Sequence, residues 1–167
     1  MSVKSVNIRK ANAADAAQIA EIYNHYISNT IITFELEEID SEEMNSRIQS
    51  IQKKYPFIVL EQDDQILAYA YASQWKERKA YQYTCESSIY VKREFLGHGY
   101  GFSLYKSLID SLEKSHYRRV LGGIALPNDA SIALHEKLGF THSGTLTNVG
   151  FKFEKWVDVG YWQLNFD

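Results

Sequence analysis

Three glycines at alternating positions, Gly97, Gly99 and Gly101, form the stretch of the sequence best suited to binding an anion. Before them, residues 82–92 alternate between apolar and polar side chains as a strand does, and after them residues 101–115 carry apolar residues at helical spacing. Glycine permits positive φ and a close approach to the backbone, and the first amides of a helix lie at the positive end of its dipole. The segment therefore predicts a phosphate-binding turn.

Two familiar glycine-rich motifs do not fit this spacing. A dinucleotide fingerprint needs a third glycine where the sequence has Phe102 or Leu104. A P-loop needs lysine directly after its last glycine, whereas the next lysine here is Lys106. A tight turn whose glycines serve packing alone is the alternative interpretation.

The composition indicates one globular domain of 167 residues. A net charge of -3 predicts no general affinity for nucleic acid or anionic membranes. No apolar run has the length of a membrane span or of a signal peptide core, so we expect a cytoplasmic protein. The lone Cys85 excludes an internal disulfide and a cysteine-based metal cluster, and the five histidines lack ligand spacing, so no metal site is predicted.

The elements that would position the glycine turn make an α/β fold, a mixed and mostly antiparallel sheet flanked by about four helices. Strands are expected at 3–10, 57–61, 66–73, 82–92 and 118–126, and two more within 140–166 that turn around 148–150. Helices are expected to start at the caps Asn12 and Asp40, near Gly101, and at Asn128 or Asp129. Residues 29–38 are expected to form a loop or an edge segment, and the polar stretch 74–82 a loop that either binds a ligand or is solvated.

Seven segments covering nearly the whole chain resemble the GNAT acetyltransferases, and within them the phosphinothricin (methionine sulfoximine) N-acetyltransferase branch. They are IYNHYI (22–27), TFE (33–35), YPFIVLE (55–61), AYASQWKERKAYQYTCESSIYV (70–91), GHGYG (97–101), GIALPNDASIALHEKLGF (123–140) and VGFKFEKWVDVGYWQ (149–163). The resemblance implies a single GNAT domain that transfers the acetyl group of acetyl-CoA to a primary amine by direct attack in a ternary complex. It also implies a homodimer, with the aromatic-rich segment 151–166 as a contact.

The resemblance further implies which residues hold acetyl-CoA. The pyrophosphate loop of the family, Gln/Arg-x-x-Gly-x-Gly/Ala, falls on residues 96–101, where Leu96 replaces the usual Gln or Arg. We expect weaker phosphate contacts for that reason, with Lys92 or Arg93 as possible replacements. The expected acetyl-CoA-binding residues are Ile89, Tyr90, Val91, Lys92, Leu96, Gly97, His98, Gly99, Tyr100, Gly101, Phe102, Ser103 and Asn128.

The acetylation of an α-amine makes modest demands on acid–base catalysis. Its pKa is near 8, so freeing its lone pair at pH 7 costs only about 1.4 kcal/mol. The resemblance implies Glu86 as the base, directly or through water, and His135 as the proton donor to the departing CoA thiolate. From the residues alone, Glu86 fits a solvated position equally well, and His135 fits a surface or packing role better. Strand alternation directs Cys85 to the face opposite Glu86, as a small buried side chain.

The expected acceptor is a small amino acid such as phosphinothricin, methionine sulfoximine or methionine sulfone, which acetylation would detoxify. Phe34, in the TFE segment, is expected to shape its pocket or to join the core, and Arg78, Lys79 and Tyr81 to meet its anionic end. The alternatives are a protein N-terminus or a polyamine as acceptor, and a non-catalytic acyl-CoA-binding module. Such a module would lack counterparts of the two catalytic residues.

Overall fold

A computed structural model describes residues 5–167, which contain one seven-stranded sheet and four α-helices. The strands are β1 (Asn7–Lys10), β2 (Phe57–Gln62), β3 (Gln65–Gln74), β4 (Thr84–Val91), β5 (Arg119–Leu126), β6 (Thr141–Lys152) and β7 (Lys155–Asn165). The helices are α1 (Ala16–Asn29), α2 (Ser41–Gln52), α3 (Tyr100–Glu113) and α4 (Asp129–Lys137). The expected start of the first strand, at Val3, lies outside the described residues. The predicted fold class is confirmed.

The strands are ordered β1-β2-β3-β4-β5-β7-β6, and every neighbouring pair is antiparallel except β4 and β5. The parallel pair joins only Thr84–Glu86 to Arg119–Leu121. Beyond these residues the two strands part, and a cleft opens between the second half of β4 and the second half of β5. The break in the ladder therefore leaves backbone and side chains of both strands open to a ligand.

Local capping chemistry fixes the helix starts, as the sequence predicts. Asn12 and Asp15 form a capping box that leads through a 3-10 turn into α1. The side chains of Asp40 and Asn128 accept hydrogen bonds from the amides of Glu43 (2.8 Å) and Ser131 (3.1 Å). Within residues 5–167, no helix combines the length and the hydrophobicity that crossing a bilayer requires.

Helices pack on both faces of the sheet, so side chains alternate between two environments along each strand. The core against α3 includes Leu104, Leu108 and the fully buried Cys85, and the core against α1 and α2 includes Ile19 and Ile48. Glu86 points away from α3 into a cavity. The expectation that Cys85 and Glu86 lie on opposite faces is confirmed.

The turn between the last two strands is not where the sequence predicts it. The hairpin closes at Phe153 and Glu154, whose φ values are 51° and 59°, rather than around 148–150. The turn-like Asn148 (φ 52°) instead lies in a bulge, because the β6–β7 register shifts between Leu146 and Gly150. A bulge and a turn use the same positive-φ residue, so the local sequence does not distinguish them.

Candidate active site

Glu86 lies in a cavity of about 360 Å³ walled by β4, β5, the β6–β7 hairpin and the loop between α1 and α2. We call this space the Glu86 cavity. Its lining residues are Ile32, Thr33, Phe34, Glu86, Ser88, Tyr90, Gly123, Ala125, Leu146, Val149, Val159 and Tyr161. A volume of this size suits a small molecule.

The Glu86 carboxylate occupies space that Gly123 leaves free on the neighbouring strand. A Cβ at Gly123 would lie 3.2 Å from Oε1 of Glu86 and 3.4 Å from the ring of Tyr161. Burial raises the pKa of Glu86 above its ordinary value, and the positive charge of Lys76 partly opposes that rise. A carboxylate with a raised pKa accepts a proton more readily, so this environment suits a general base.

The cleft between β4 and β5 adjoins the Glu86 cavity and brings His135 towards the same region. The cleft is lined by Ile32, Ser87, Ser88, Ile89, Tyr90, Gly123, Ile124, Ala125, Asn128, Ser131 and His135. It shares Ser88, Tyr90 and Gly123, among others, with the Glu86 cavity. The two residues predicted to be catalytic therefore border adjoining spaces, and Asn128 lies at the end of the cleft where α4 begins.

His135 is buried, with 4% of its surface exposed, and both of its ring nitrogens have partners. Nδ1 lies 2.7 Å from the carbonyl oxygen of Ser131, so Nδ1 carries the proton and donates. Nε2 then accepts from the hydroxyl of Tyr105 at 2.9 Å, and Tyr105 lies 2.5 Å from the hydroxyl of Ser87. Burial lowers the pKa of His135, against the effect of the Ser131 carbonyl, and so favours the neutral ring. Proton transfer from His135 thus requires one of these bonds to rearrange.

Two consecutive glycines in β5 make room for the two predicted catalytic side chains. A Cβ at Gly122 would lie 2.5 Å from Nε2 of His135, and Gly123, on the opposite face, lies under Glu86. The sequence reasoning missed both glycines. The signal was present, because adjacent glycines weaken a strand unless another group approaches its backbone closely.

The glycine turn has the conformation expected of an anion site. Gly97 and Gly99 have φ values of 77° and 80°, which side-chain-bearing residues rarely adopt, and a Cβ on either would meet no atom within 4 Å. A Cβ at Gly101 would lie 3.2 Å from Val91, so this glycine lets α3 pack closely on β4. The turn leads directly into α3, whose first amides have no intrahelical acceptor.

A groove of about 320 Å³ runs between this turn and α4, and we call it the loop groove. Its lining residues are Val91, Phe95, Leu96, Gly97, Gly99, Tyr100, Gly101, Phe102, Ala130, Ala133, Leu134 and Lys137. Like the cleft, it has β4 on one side and α4 on the other. The groove therefore brings together most of the residues expected to bind acetyl-CoA.

His98, Ser103 and Lys92 belong to that predicted set but do not line the loop groove. Nδ1 of His98 bonds to the Leu96 carbonyl at 2.9 Å, and Ser103 is exposed on α3. Lys92 lies 3.6 Å from Glu21, so its ammonium is already paired away from the turn. The side chain of Leu96 is half exposed beside the glycines, where an arginine would have room to reach an anion.

Of the four residues expected to contact the acceptor, only Phe34 lines the Glu86 cavity within the described chain. Arg78, Lys79 and Tyr81 line a different groove, beside the end of α2. This loop contains a 3-10 turn at Lys79–Tyr81. The ring of Trp75 packs edge-on against the ring of Tyr81, with 5.1 Å between the ring centres. Arg78, Lys79 and Tyr81 thus do not line the Glu86 cavity, and their contact with the acceptor stays a prediction, although Lys76 of the same loop acts on Glu86 electrostatically.

Comparisons with known proteins agree with this architecture. The family model of the acetyltransferase (GNAT) domain matches residues 8–160. The chain is 40% identical to a phosphinothricin N-acetyltransferase of Streptomyces viridochromogenes, over 98% of this chain and 90% of the relative. It is 34% identical to an L-methionine sulfoximine/L-methionine sulfone acetyltransferase of Salmonella typhimurium, over 97% and 95% of the two chains.

A solved structure has the same fold. The phosphinothricin acetyltransferase of Sinorhizobium meliloti, crystallised in complex with acetyl-CoA, superposes with a TM-score of 0.93 at 33% identity. The match covers 96% of this chain and 88% of that one. The family model, the relatives and the fold all indicate the family that the sequence motifs resemble. The chain belongs to the GNAT acetyltransferase family.

Proposed function

We propose that this enzyme transfers the acetyl group of acetyl-CoA to the α-amine of a small amino acid such as phosphinothricin, methionine sulfoximine or methionine sulfone. One observation carries the proposal: Glu86 is the one charged side chain at pH 7 among the described residues that line its cavity, and the cavity adjoins the cleft. The names of the relatives from Streptomyces viridochromogenes and Salmonella typhimurium support the same class of acceptor.

In this proposal acetyl-CoA binds along the loop groove and the cleft. The amides of residues 97–101 and of the first turn of α3 hold the pyrophosphate, because unpaired N–H groups and the helix dipole favour an anion there. The pantetheine arm follows β4 past Asn128, and the thioester reaches the end of the cleft that borders the Glu86 cavity. The relative from Sinorhizobium meliloti, which has the same fold, was crystallised with acetyl-CoA, and this supports acetyl-CoA as the co-substrate.

The amine then attacks the thioester directly. The C–N bond forms, the C–S bond breaks, and the nitrogen loses two protons. Glu86 accepts the first, directly or through water, which frees the lone pair, and the second leaves as the C–N bond forms. Holding the two reactants together contributes about 7–11 kcal/mol and a positioned base about 10²–10⁴-fold, so positioning dominates. Cys85 is unsuited to an acetyl-enzyme route, because it faces the α3 core and burial raises the pKa of its thiol to about 12.

The departing thiolate takes up the second proton that the nitrogen loses, and His135 is the residue proposed to pass it on. Ser87 and His135 both border the cleft, which supports this role. In the hydrogen-bonded chain of Ser87, Tyr105 and His135, Nε2 of His135 takes and gives this proton once the Tyr105 hydroxyl turns from it to Ser87. The two protons of the nitrogen are then accounted for, one on Glu86 and one on the CoA thiol.

We further propose that the enzyme is a homodimer that pairs through the β6–β7 hairpin. The hairpin exposes Leu146, Val149, Phe151, Phe153 and Trp156, with 63% of the Trp156 surface accessible. β6 is also an edge strand of the sheet. An apolar patch on an unpaired edge favours association with a second copy.

The test is steady-state release of CoA thiol from acetyl-CoA with a panel of acceptors. Saturation by phosphinothricin, methionine sulfoximine and methionine sulfone, with no turnover of spermidine or of a peptide N-terminus, would support the proposal. Turnover of spermidine or the peptide alone would change the acceptor class. If acetyl-CoA bound but no acceptor reacted, a non-catalytic acyl-CoA-binding module would be the better reading.

A further inference from the structure

The loop of residues 30–38, which joins α1 to α2, forms one wall of the Glu86 cavity through Ile32, Thr33 and Phe34. It contains no strand or helix, so its position depends on contacts with the elements around it. Those contacts come from two opposite sides, the helices on one and the β6–β7 hairpin on the other.

Ionic and hydrogen bonds attach the loop to the helices. The hydroxyl of Tyr23, on α1, bonds to Oγ1 of Thr33 at 2.8 Å and donates to Glu35. Arg47, on α2, donates two hydrogen bonds to the Glu35 carboxylate, at 2.7 and 2.8 Å. Paired contacts of this kind are strong and directional, so the middle of the loop is fixed relative to α1 and α2.

On the opposite side, Lys152 of β6 attaches the loop to the hairpin. Its Nζ donates to the carbonyl oxygen of Thr33 at 2.8 Å, and only 3% of the residue is exposed. The ammonium also lies 5.2 Å from the centre of the Phe153 ring. Lysine is rarely buried to this extent, because removing its charge from water is unfavourable unless partners compensate.

The residue next to Thr33 is Phe34, and its ring rests on the backbone of β6 at Gly150. A Cβ at Gly150 would overlap several atoms of that ring. Gly150 follows the bulge in β6 and lies two residues before Lys152. The residue that the Phe34 ring contacts and the residue that bonds to Thr33 therefore belong to the same short stretch of β6. Thr33 and Phe34 are adjacent in the chain and both line the Glu86 cavity, so the contact of Lys152 with Thr33 bears directly on the position of the Phe34 ring.

We propose that Lys152 is a positioning residue that sets the acceptor specificity of the enzyme, by holding Thr33 so that Phe34 closes the Glu86 cavity against Gly150. The proposal rests on the proposed function in one respect, that the acceptor occupies this cavity. Lys152 does not touch the reacting atoms. Its effect reaches the acceptor through the loop. The loop groove for acetyl-CoA lies on other elements, and within the described residues 30–38 Ile32 alone borders the cleft.

Lys152→Met tests the proposal, because methionine keeps the length and apolar stem of the side chain but cannot donate to Thr33. We expect the KM for the amino-acid acceptor to rise about tenfold, while the KM for acetyl-CoA and the kcat at saturating acceptor change by less than about twofold. Lys152→Arg keeps a cation and its donors and should restore most of the acceptor KM. Lys155→Met is the matched control, because Lys155 pairs with Lys152 across the hairpin but is exposed.

Hydrogen exchange gives a readout that does not depend on activity. The amides of residues 32–36 should exchange faster in Lys152→Met than in the parent, and at the parental rate in Lys155→Met. An unchanged acceptor KM together with unchanged exchange would overturn the proposal, as would equal losses of kcat with every acceptor. If the parent acetylates no amino acid, the proposed function fails, whereas faster exchange confined to this loop would still establish that Lys152 holds it.

Discussion

Replacing Gly122 by alanine tests whether the backbone of β5 fixes the position of His135. The new methyl group would lie 2.5 Å from Nε2 and 2.7 Å from Cδ2 of the imidazole. Carbon atoms in contact prefer separations of about 3.5–4.0 Å, so the ring must move by about 1 Å or the strand must yield. The ring is buried and bonded at both nitrogens, so a shift towards the cleft strains or breaks a hydrogen bond.

The size of the effect follows from those contacts. A displacement of about 1 Å breaks the bond to Tyr105 or the bond to Ser131, and an unpaired buried polar group costs about 1–3 kcal/mol. Overpacking further destabilises the fold by about 1–3 kcal/mol. Alanine is less flexible than glycine in the unfolded chain, and this stabilises the fold by about 0.5–1 kcal/mol. We expect the free energy of unfolding to fall by about 1–5 kcal/mol.

Urea denaturation followed by tryptophan fluorescence measures this change, and the adjacent Gly123→Ala is the matched control. At Gly123 a Cβ would lie 3.2 Å from the flexible end of Glu86 and 3.4 Å from the Tyr161 ring, the second of which is an ordinary contact distance. The free energy of unfolding of Gly123→Ala should stay within about 1 kcal/mol of the parent value. We expect this variant to lose acetyltransferase activity instead. If Gly122→Ala were as stable as Gly123→Ala, His135 would not be held against β5 as described, and the hydrogen-bonded chain would not be rigid.

Three further results are expected. Because burial raises the pKa of Glu86, its ionised form opposes folding at high pH, so Glu86→Gln should be more stable than the parent at pH 8 in urea denaturation. That advantage should shrink as the pH falls through the raised pKa towards the ordinary 4.5; a constant difference would mean that Glu86 is solvated. Leu96→Arg should lower the KM for acetyl-CoA in a saturation assay by adding a cation beside the glycine turn, and an unchanged KM would mean that the amides suffice. Light scattering at micromolar concentration should give a dimer for the parent and a monomer for Trp156→Glu, whereas a monomeric parent would contradict pairing through the hairpin.

Local chemistry explains why much of the fold could be predicted from the sequence. Asn12, Asp40 and Asn128 each bond an amide two or three residues away, so their neighbours alone predict the helix starts. The glycine turn is likewise set by nearby residues, since Gly97 and Gly99 need positive φ whatever surrounds them. The same alternation that predicts β4 also separates the faces of Cys85 and Glu86.

The parts that could not be predicted depend on contacts between distant segments. His135 meets Tyr105, 30 residues earlier, and Gly122 on a third element, so its burial is decided by how α3, α4 and β5 pack. The course of the charged loop likewise depends on distant contacts, because Arg78 and Lys79 share a groove with Tyr55 and Tyr117. Lys152 gave no signal at all, since a lysine near a hairpin end is usually exposed.

The central claim is that Glu86 is the base of an acetyl transfer to an amine in its cavity, and the pH dependence of kcat/KM for the best amino-acid acceptor tests it most directly. Parent, Glu86→Gln and the exposed control Glu113→Gln would be compared with acetyl-CoA saturating. We predict that Glu86→Gln loses about 10²–10⁴-fold at pH 7 and that Glu113→Gln matches the parent. The loss should shrink at high pH, where the free amine no longer needs a base. Activity of Glu86→Gln within about threefold of the parent at pH 7 would contradict the claim.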